Sequence, residues 1–355
     1  MIYYLLPTVA LCLALCEEDS HSIIKQLFHI LLIYFLLFII ILAGLRFEVG
    51  TDWFSYAEIF YGKKEVKEIS TTLIKDISNS IGGFQSFIFL FFLIAFLIKI
   101  YAFRLLSSKI SLALLVYLGF WFIVYDLNGI RQGVALSFTL LSLYYTIKRN
   151  LKSYLICCFI ALTFHITAIA FLPFYWISKI KISAKIQIVI LIIMVCFSLG
   201  GIAEKSIKLI FSAFGNGYLV DKAISYATSE AYNSNILFSF TSIHRVAIFF
   251  LILFTTRYTD ANEKLKNLII TSSLINICIY FLFCQFEIIA TRLSLFYRIP
   301  ECIFFSYLPS AFKENSKYYI LILIFIYVEW QIYQTLSIPN GGLIPYRNYF
   351  IEKIL

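Results

Sequence analysis

Apolar residues fall in long blocks along this chain, each about 16 to 20 residues, separated by short polar segments. A helix crossing the ~30 Å hydrocarbon layer of a bilayer needs about 20 such residues. The pattern predicts spanning helices near 1–16, 27–44, 84–103, 110–126, 130–147, 186–203, 237–256, 267–285, 293–311 and 318–335. A transmembrane barrel would instead show short strands of alternating polarity. The stretch 153–177 is apolar as well, but too short for two full spans. The predicted fold is all-α, a polytopic integral membrane protein with about 10–12 transmembrane helices. It forms one transmembrane domain over 1–355, with its longest polar segments at 46–83 and 204–236.

Composition narrows this further. Apolar residues make up 61% of the 355 and charged residues 14%, against roughly 25% charged in soluble domains. That is too few charges to cover a soluble surface, and too much apolar content for disorder. The formal net charge of +9 does not mark a nucleic-acid binder. Most lysines sit in short clusters between apolar blocks, such as Lys148-Arg149-Asn150-Leu151-Lys152 and Lys313 with Lys317, as positive-inside loops do. With Lys99, Arg104 and Lys109 in one such loop and Arg257, Lys264 and Lys266 in another, segments 46–83, 127–130, 204–236, 286–292 and 336–355 fall outside. Lys179, Lys181 and Lys185 also read as cytoplasmic, which makes 153–177 either a re-entrant hairpin turning near Thr163-Phe164-His165 or a single span; a single span would invert every later segment, so the hairpin is favoured. The eight cysteines lie mostly inside apolar blocks, with no metal-ligand spacing, and read as packing residues. The N-terminus lacks a positive n-region, so no cleaved signal peptide is expected.

A minority of charges sits where lipid-facing chemistry disfavours it. Arg46 to Tyr56 follows the second span; Gly50 permits a tight turn, Thr51 or Asp52 can cap a short helix, and Glu48 or Asp52 can pair with Arg46. Asn128-Gly129-Ile130-Arg131-Gln132-Gly133 joins two spans through a very short turn. His165 lies inside an apolar stretch, either as a hydrogen-bonded structural residue or as a base. His244-Arg245 enters a later span. Arg292 and Arg298 are spaced six apart and point to different helix faces, with Arg292 nearer the outer end. Arg46, Arg131, Arg245 and Arg292 at one level suggest an anionic ligand, because the planar guanidinium grips phosphate bidentately and keeps its charge. A lipid-linked diphosphate is one such ligand; anionic lipid headgroups, or internal pairs with Glu48, Asp52, Asp126 and Glu287, are the alternatives.

These segments resemble the EpsG family of bacterial Wzy-type polysaccharide polymerases. Arg46 to Tyr56 is similar to its arginine, glycine-threonine-aspartate, aromatic signature, and Asn128 to Gly133 to its turn. Phe164-His165 through Leu172-Pro173 resembles its histidine-bearing span, and Pro345-Tyr346-Arg347 its C-terminus. The resemblance implies a glycosyltransferase that joins undecaprenyl-diphosphate-linked oligosaccharide repeat units at the outer face of the bacterial cytoplasmic membrane. Its partners would be that lipid-linked glycan, membrane lipids and a chain-length regulator protein. Arg46, Arg131, Arg245 and Arg292 would bind the diphosphate, Asp52 or His165 would serve as base, and Gln132, Trp53 and Tyr56 would contact sugars. Without an Asp-x-Asp motif, neither a metal nor another cofactor is expected. A flippase or transporter of lipid-linked glycans is the alternative, and inverted repeats would favour it.

Overall fold

The computed structural model describes residues 1–18, 22–66, 68–200, 236–338 and 341–354; the 204–235 part of the second polar segment lies outside these residues. Among the described residues the architecture is all-α, with one isolated antiparallel bridge, Arg46 to Asn348. Five helices there are long and apolar enough to cross a membrane: Leu27–Gly44, Gly83–Leu106, Phe240–Tyr258, Glu263–Leu282 and Glu314–Leu336. Shorter apolar helices accompany them. The chain is a multi-pass membrane protein.

The chain divides into two compact units, Met1–Ile169 with Cys302–Leu355, and Ala170–Glu301. In the first unit the helices run α1 (Ile2–Glu18), α2 (Ser22–Gly44), α3 (Trp53–Phe60), α4 (Ile69–Ile81), α5 (Gly83–Leu106), α6 (Ile110–Val116), α7 (Ile130–Ile147) and α8 (Leu151–Phe164). The polar segment 46–83 is therefore largely helical, carrying α3 and α4. The second unit holds α9 (Phe174–Ile177), α10 (Ala184–Leu199), α11 (Phe240–Thr255), α12 (Glu263–Leu282) and α13 (Glu287–Arg298). The chain then continues through α14 (Glu301–Tyr307), α15 (Lys317–Leu336) and α16 (Tyr349–Ile354).

α7 carries buried polar positions along much of its length. α7 packs against α5 and α8, and its Gln132, Ser137, Thr139, Ser142 and Thr146 are buried. Ser137 Oγ donates to the Ala95 carbonyl of α5 at 2.9 Å and to Gly133 O at 2.8 Å. Polar side chains of this kind are tolerated at membrane depth because protein, not lipid, surrounds them.

Three sequence expectations change. The predicted span 293–311 is not one helix: α13 ends at Arg298 and α14 begins at Glu301, with Pro300 between them. Proline lacks the N–H that a continuing helix would need. The 110–126 run is apolar throughout, but after α6 it winds as a π-helix over Tyr117–Asp126, with Leu127 N donating to Phe122 O and Gly129 N to Val124 O, both at 3.0 Å. Lys99 is not a loop residue. It lies inside α5 with 0% exposure and pairs with Asp126 at 2.8 Å.

That pair explains the π-helix. Lys99 Nζ bonds both Asp126 carboxylate oxygens, at 2.8 and 3.0 Å, and the Gly133 carbonyl at 2.9 Å. The Tyr117 hydroxyl donates to Asp126 as well. The wider helix places Tyr117 and Asp126, at its two ends, in one cluster in which Asp126 accepts from both Tyr117 and the buried ammonium, so every group in it has a partner. Gly133 closes against it: a Cβ there would meet Asp126 Oδ1 and would lie 2.6 Å from the Tyr125 carbonyl. Gly133→Ala is therefore expected to lower stability by about 1–3 kcal/mol through overpacking, reversing the gain of ~1 kcal/mol usual for this change in a helix. Thermal unfolding of detergent-solubilised protein would read it as a lower midpoint, and a raised midpoint would refute the close approach.

In the second unit α12 packs against α10, α11 and α13. Its core is Leu191, Phe249, Leu253, Leu274, Ile277, Tyr280 and Phe281. Ser239 caps α11 by accepting from Ser242 N at 3.2 Å, and Asn262 caps α12 by accepting from Leu265 N at 3.0 Å.

Candidate functional site

Three stretches singled out in the sequence meet at one end of the first unit. Asn128, in the turn between the π-helix and α7, reaches back to the start of α3. Its Oδ1 accepts from Asp52 N at 2.8 Å and from Thr51 Oγ1 at 3.1 Å. Asp52 occupies the cap position of α3 but its side chain makes no capping bond. The backbone N–H of Asp52 itself, one of the groups a helix start leaves without an intrahelical partner, is satisfied by Asn128, 76 residues away. Gly50 makes this approach possible. It sits at φ +100, and a Cβ would lie 2.9 Å from Leu127 O and 3.0 Å from Asn128 Oδ1, a conformation open to glycine.

The C-terminal segment closes the other side. Gly50 N donates to Gly342 O at 2.8 Å, Phe47 N to Arg347 O at 3.0 Å, and Tyr349 N to Leu45 O at 2.7 Å. Tyr3 Oη donates to Leu343 O at 2.9 Å, and Tyr346 Oη to Leu42 O. The tail around Tyr346 thus lies along the Arg46 segment. Glu48 pairs with Arg347 at 3.0 Å, not with Arg46 as its sequence proximity suggests.

The candidate residues divide by burial. Arg46 is 1% exposed. Its Nη1 donates to Ala43 O at 2.9 Å, its guanidinium lies 5.9 Å from the Trp53 ring centroid, and its Nε has no partner. Burial pulls its pKa down to about 10, opposed by the nearby Tyr56, Asp126, Tyr3 and Tyr346; it remains charged at neutral pH. Trp53 is enclosed by Phe84 and Phe47, with centroids at 5.1 and 6.0 Å, which leaves little ring face for a sugar. Gln132 is buried, and its Nε2 lacks a partner.

Arg131 is more open. Its side chain keeps 25% exposure, and its Nη1 pairs with Glu68, at the start of α4, at 3.0 Å. It also lies 5.9 Å from the Tyr56 ring centroid. Burial raises the pKa of Tyr56, Arg131 opposes the rise, and Asp52 adds to it. One buried phenol therefore senses Arg131, Asp52 and Arg46 together. This gathers Arg46, Asp52, Tyr56, Glu68 and Arg131 into one constellation.

α8 stops at Phe164, and His165 is extended at φ −154, ψ 119 before a 3₁₀ turn over Ile166–Phe171. Its Nδ1 bonds Thr167 Oγ1 at 2.6 Å. Two residues earlier, Thr163 Oγ1 accepts from Ser70 Oγ at 2.6 Å, which ties the end of α8 to the start of α4 beside Glu68.

Arg245 and Arg292 belong to the second unit. Arg245 is 4% exposed; it bonds Asn276 at 2.8 Å and Ser294 at 3.0 Å, and lies 4.0 Å over the Tyr280 ring. It joins α11, α12 and α13 as a core residue. Arg298, six positions after Arg292, is buried against Glu301 at 3.2 Å, while Arg292 is half-buried. The two arginines, six positions apart on one helix, thus differ in burial.

Sequence reasoning missed Glu68, the Lys99–Asp126–Tyr117 cluster and the Arg298–Glu301 pair. Lys99 carried the one available signal, a lysine falling inside an apolar run.

A family model described as the EpsG family matches residues 29–348. The chain belongs to the EpsG family. This is a family of Wzy-like polysaccharide polymerases and membrane proteins. None of the curated proteins and none of the solved structures compared matches the chain significantly. The match runs from α2 to Asn348, and so includes every segment of the EpsG constellation. Membership places this multi-pass protein with polymerase-like proteins of polysaccharide biosynthesis.

Proposed function

We propose that this EpsG-family protein is a glycosyltransferase joining oligosaccharide repeat units carried on undecaprenyl diphosphate at the outer face of the bacterial cytoplasmic membrane. The observation that carries the reading is Arg131. It is a partly exposed guanidinium that shares its surroundings with Asp52 and Tyr56, in a family of polysaccharide polymerases.

The reaction moves the growing chain from its diphosphate lipid onto a fresh unit. A hydroxyl oxygen of the acceptor sugar attacks the anomeric carbon of the donor chain. The bond from that carbon to the diphosphate oxygen breaks, and its electron pair leaves with the diphosphate. The hydroxyl proton passes to a base. Arg131 holds the diphosphate and offsets its developing charge, as preorganised donors do in other transfers. Arg46 adds positive potential from beneath. Asp52 takes the proton in preference to His165, because it shares the electrostatic environment of Tyr56 with Arg131.

Purified protein in liposomes, supplied with lipid-diphosphate-linked repeat units, is expected to convert them into a ladder of longer chains and release free lipid diphosphate. Movement of intact single units across the bilayer without chain growth would favour a flippase instead.

A further inference from the structure

The Arg131–Glu68 pair differs from the buried pairs of this protein. Its side chains keep 25% and 18% exposure, whereas Lys99 and Asp126 keep 0%. Glu68 precedes α4 with extended backbone, φ −76 and ψ 114, and its side chain makes no capping bond to the helix. It can leave Arg131 without unwinding α4. The guanidinium is also incompletely used: Nη1 faces Glu68, Tyr56 shares a side-chain hydrogen bond, and Nε is buried with no partner. A guanidinium with a donor left unsatisfied can take a further acceptor.

From these features we infer that Glu68 is the resting counter-anion of Arg131, displaced when a phosphate group binds there. The inference rests on the reading of Arg131 as a diphosphate ligand. In the empty state the carboxylate neutralises a guanidinium that would otherwise stand in a weakly polar setting. A diphosphate offers more charge and several acceptor oxygens, so it can accept from more of the guanidinium N–H groups than the single Nη1 that faces Glu68. The exchange needs no proton transfer and breaks no covalent bond. The carboxylate moves toward solvent while the anion takes its place. A partly exposed ion pair competes only weakly, so Glu68 is expected to reduce anion affinity by about two- to fivefold.

Binding of farnesyl diphosphate to the full-length protein in detergent, measured by calorimetry, tests this. Wild type is expected to bind the probe, and Arg131→Ala to lose at least about tenfold in affinity. Glu68→Gln, which removes the competing charge and keeps the shape, is expected to tighten binding two- to fivefold. Glu68→Asp, with its charge on a shorter arm, is expected to tighten it less. Unchanged or weaker binding by Glu68→Gln, with Arg131→Ala still defective, would overturn the counter-anion role and leave the Arg131 reading standing. Equal binding by wild type and Arg131→Ala, or no binding by either, would overturn both.

Discussion

Arg131→Ala is expected to collapse the long-chain polymer ladder in cells to single repeat units and to slow polymerisation by purified protein about 10²–10³-fold, the usual cost of removing one donor to a developing anion. The fold should survive. Arg131 sits at the start of α7, keeps a quarter of its side chain exposed, and has one ion pair, with the partly exposed Glu68. Pairs of this kind contribute at most about 1 kcal/mol, so the thermal midpoint should change little. Arg131→Lys sharpens the test. It restores the charge but not the planar pair of donors, so it should recover only a small part of the lost rate. If charge alone were needed, Lys would restore activity fully and a bidentate role would be excluded. A normal ladder from Arg131→Ala would remove this residue from the reaction.

The distinction between Arg131 and the other arginines was not available from the sequence. Arg46, Arg131, Arg245 and Arg292 look alike there, since each is an arginine at or within the outer part of an apolar block. Burial separates them. Arg245 bonds Asn276 and Ser294, partners 31 and 49 residues away that no local pattern connects to it. Most helices were legible because apolar block length reports the bilayer directly. Lys99 reads as a loop charge because it stands near the end of an apolar block, while the partner that makes its burial tolerable, Asp126, comes from a different helix. The π-helix left no trace, since Tyr117–Asp126 has the composition of any apolar helix. Pro300 is the one sequence mark of the break between α13 and α14, and the apolar run around it reads as a continuous span. The Arg46 and Asn128 motifs were legible as motifs. Their physical link, Asn128 capping the helix that starts after Asp52, is a tertiary fact.

Asp126→Asn is expected to cost about 3–5 kcal/mol of stability, because it leaves the Lys99 ammonium buried without its anion. Lys99→Met should also destabilise, leaving the carboxylate bonded by Tyr117 alone among its side-chain donors. In the double variant no charge is stranded, and the neutral amide that replaces the Asp126 carboxylate can still accept from Tyr117. Its loss should therefore be smaller than the sum of the single losses, with a coupling energy of about 2 kcal/mol or more in a double-mutant cycle. Additive losses would mean that the pair is not the interaction holding the cluster together. Activity gives a second, independent readout. Lys99 also binds Gly133 O, two residues after Arg131, while Asp126 ends the π-helix two residues before Asn128. The cluster therefore grips both sides of the turn that carries Asn128 and Arg131. A double variant that regains its thermal midpoint yet makes shortened polymer would show that the buried pair positions this turn. Full recovery of both would reduce the pair to a stability element and place the control of Arg131 with Asn128 and the C-terminal segment.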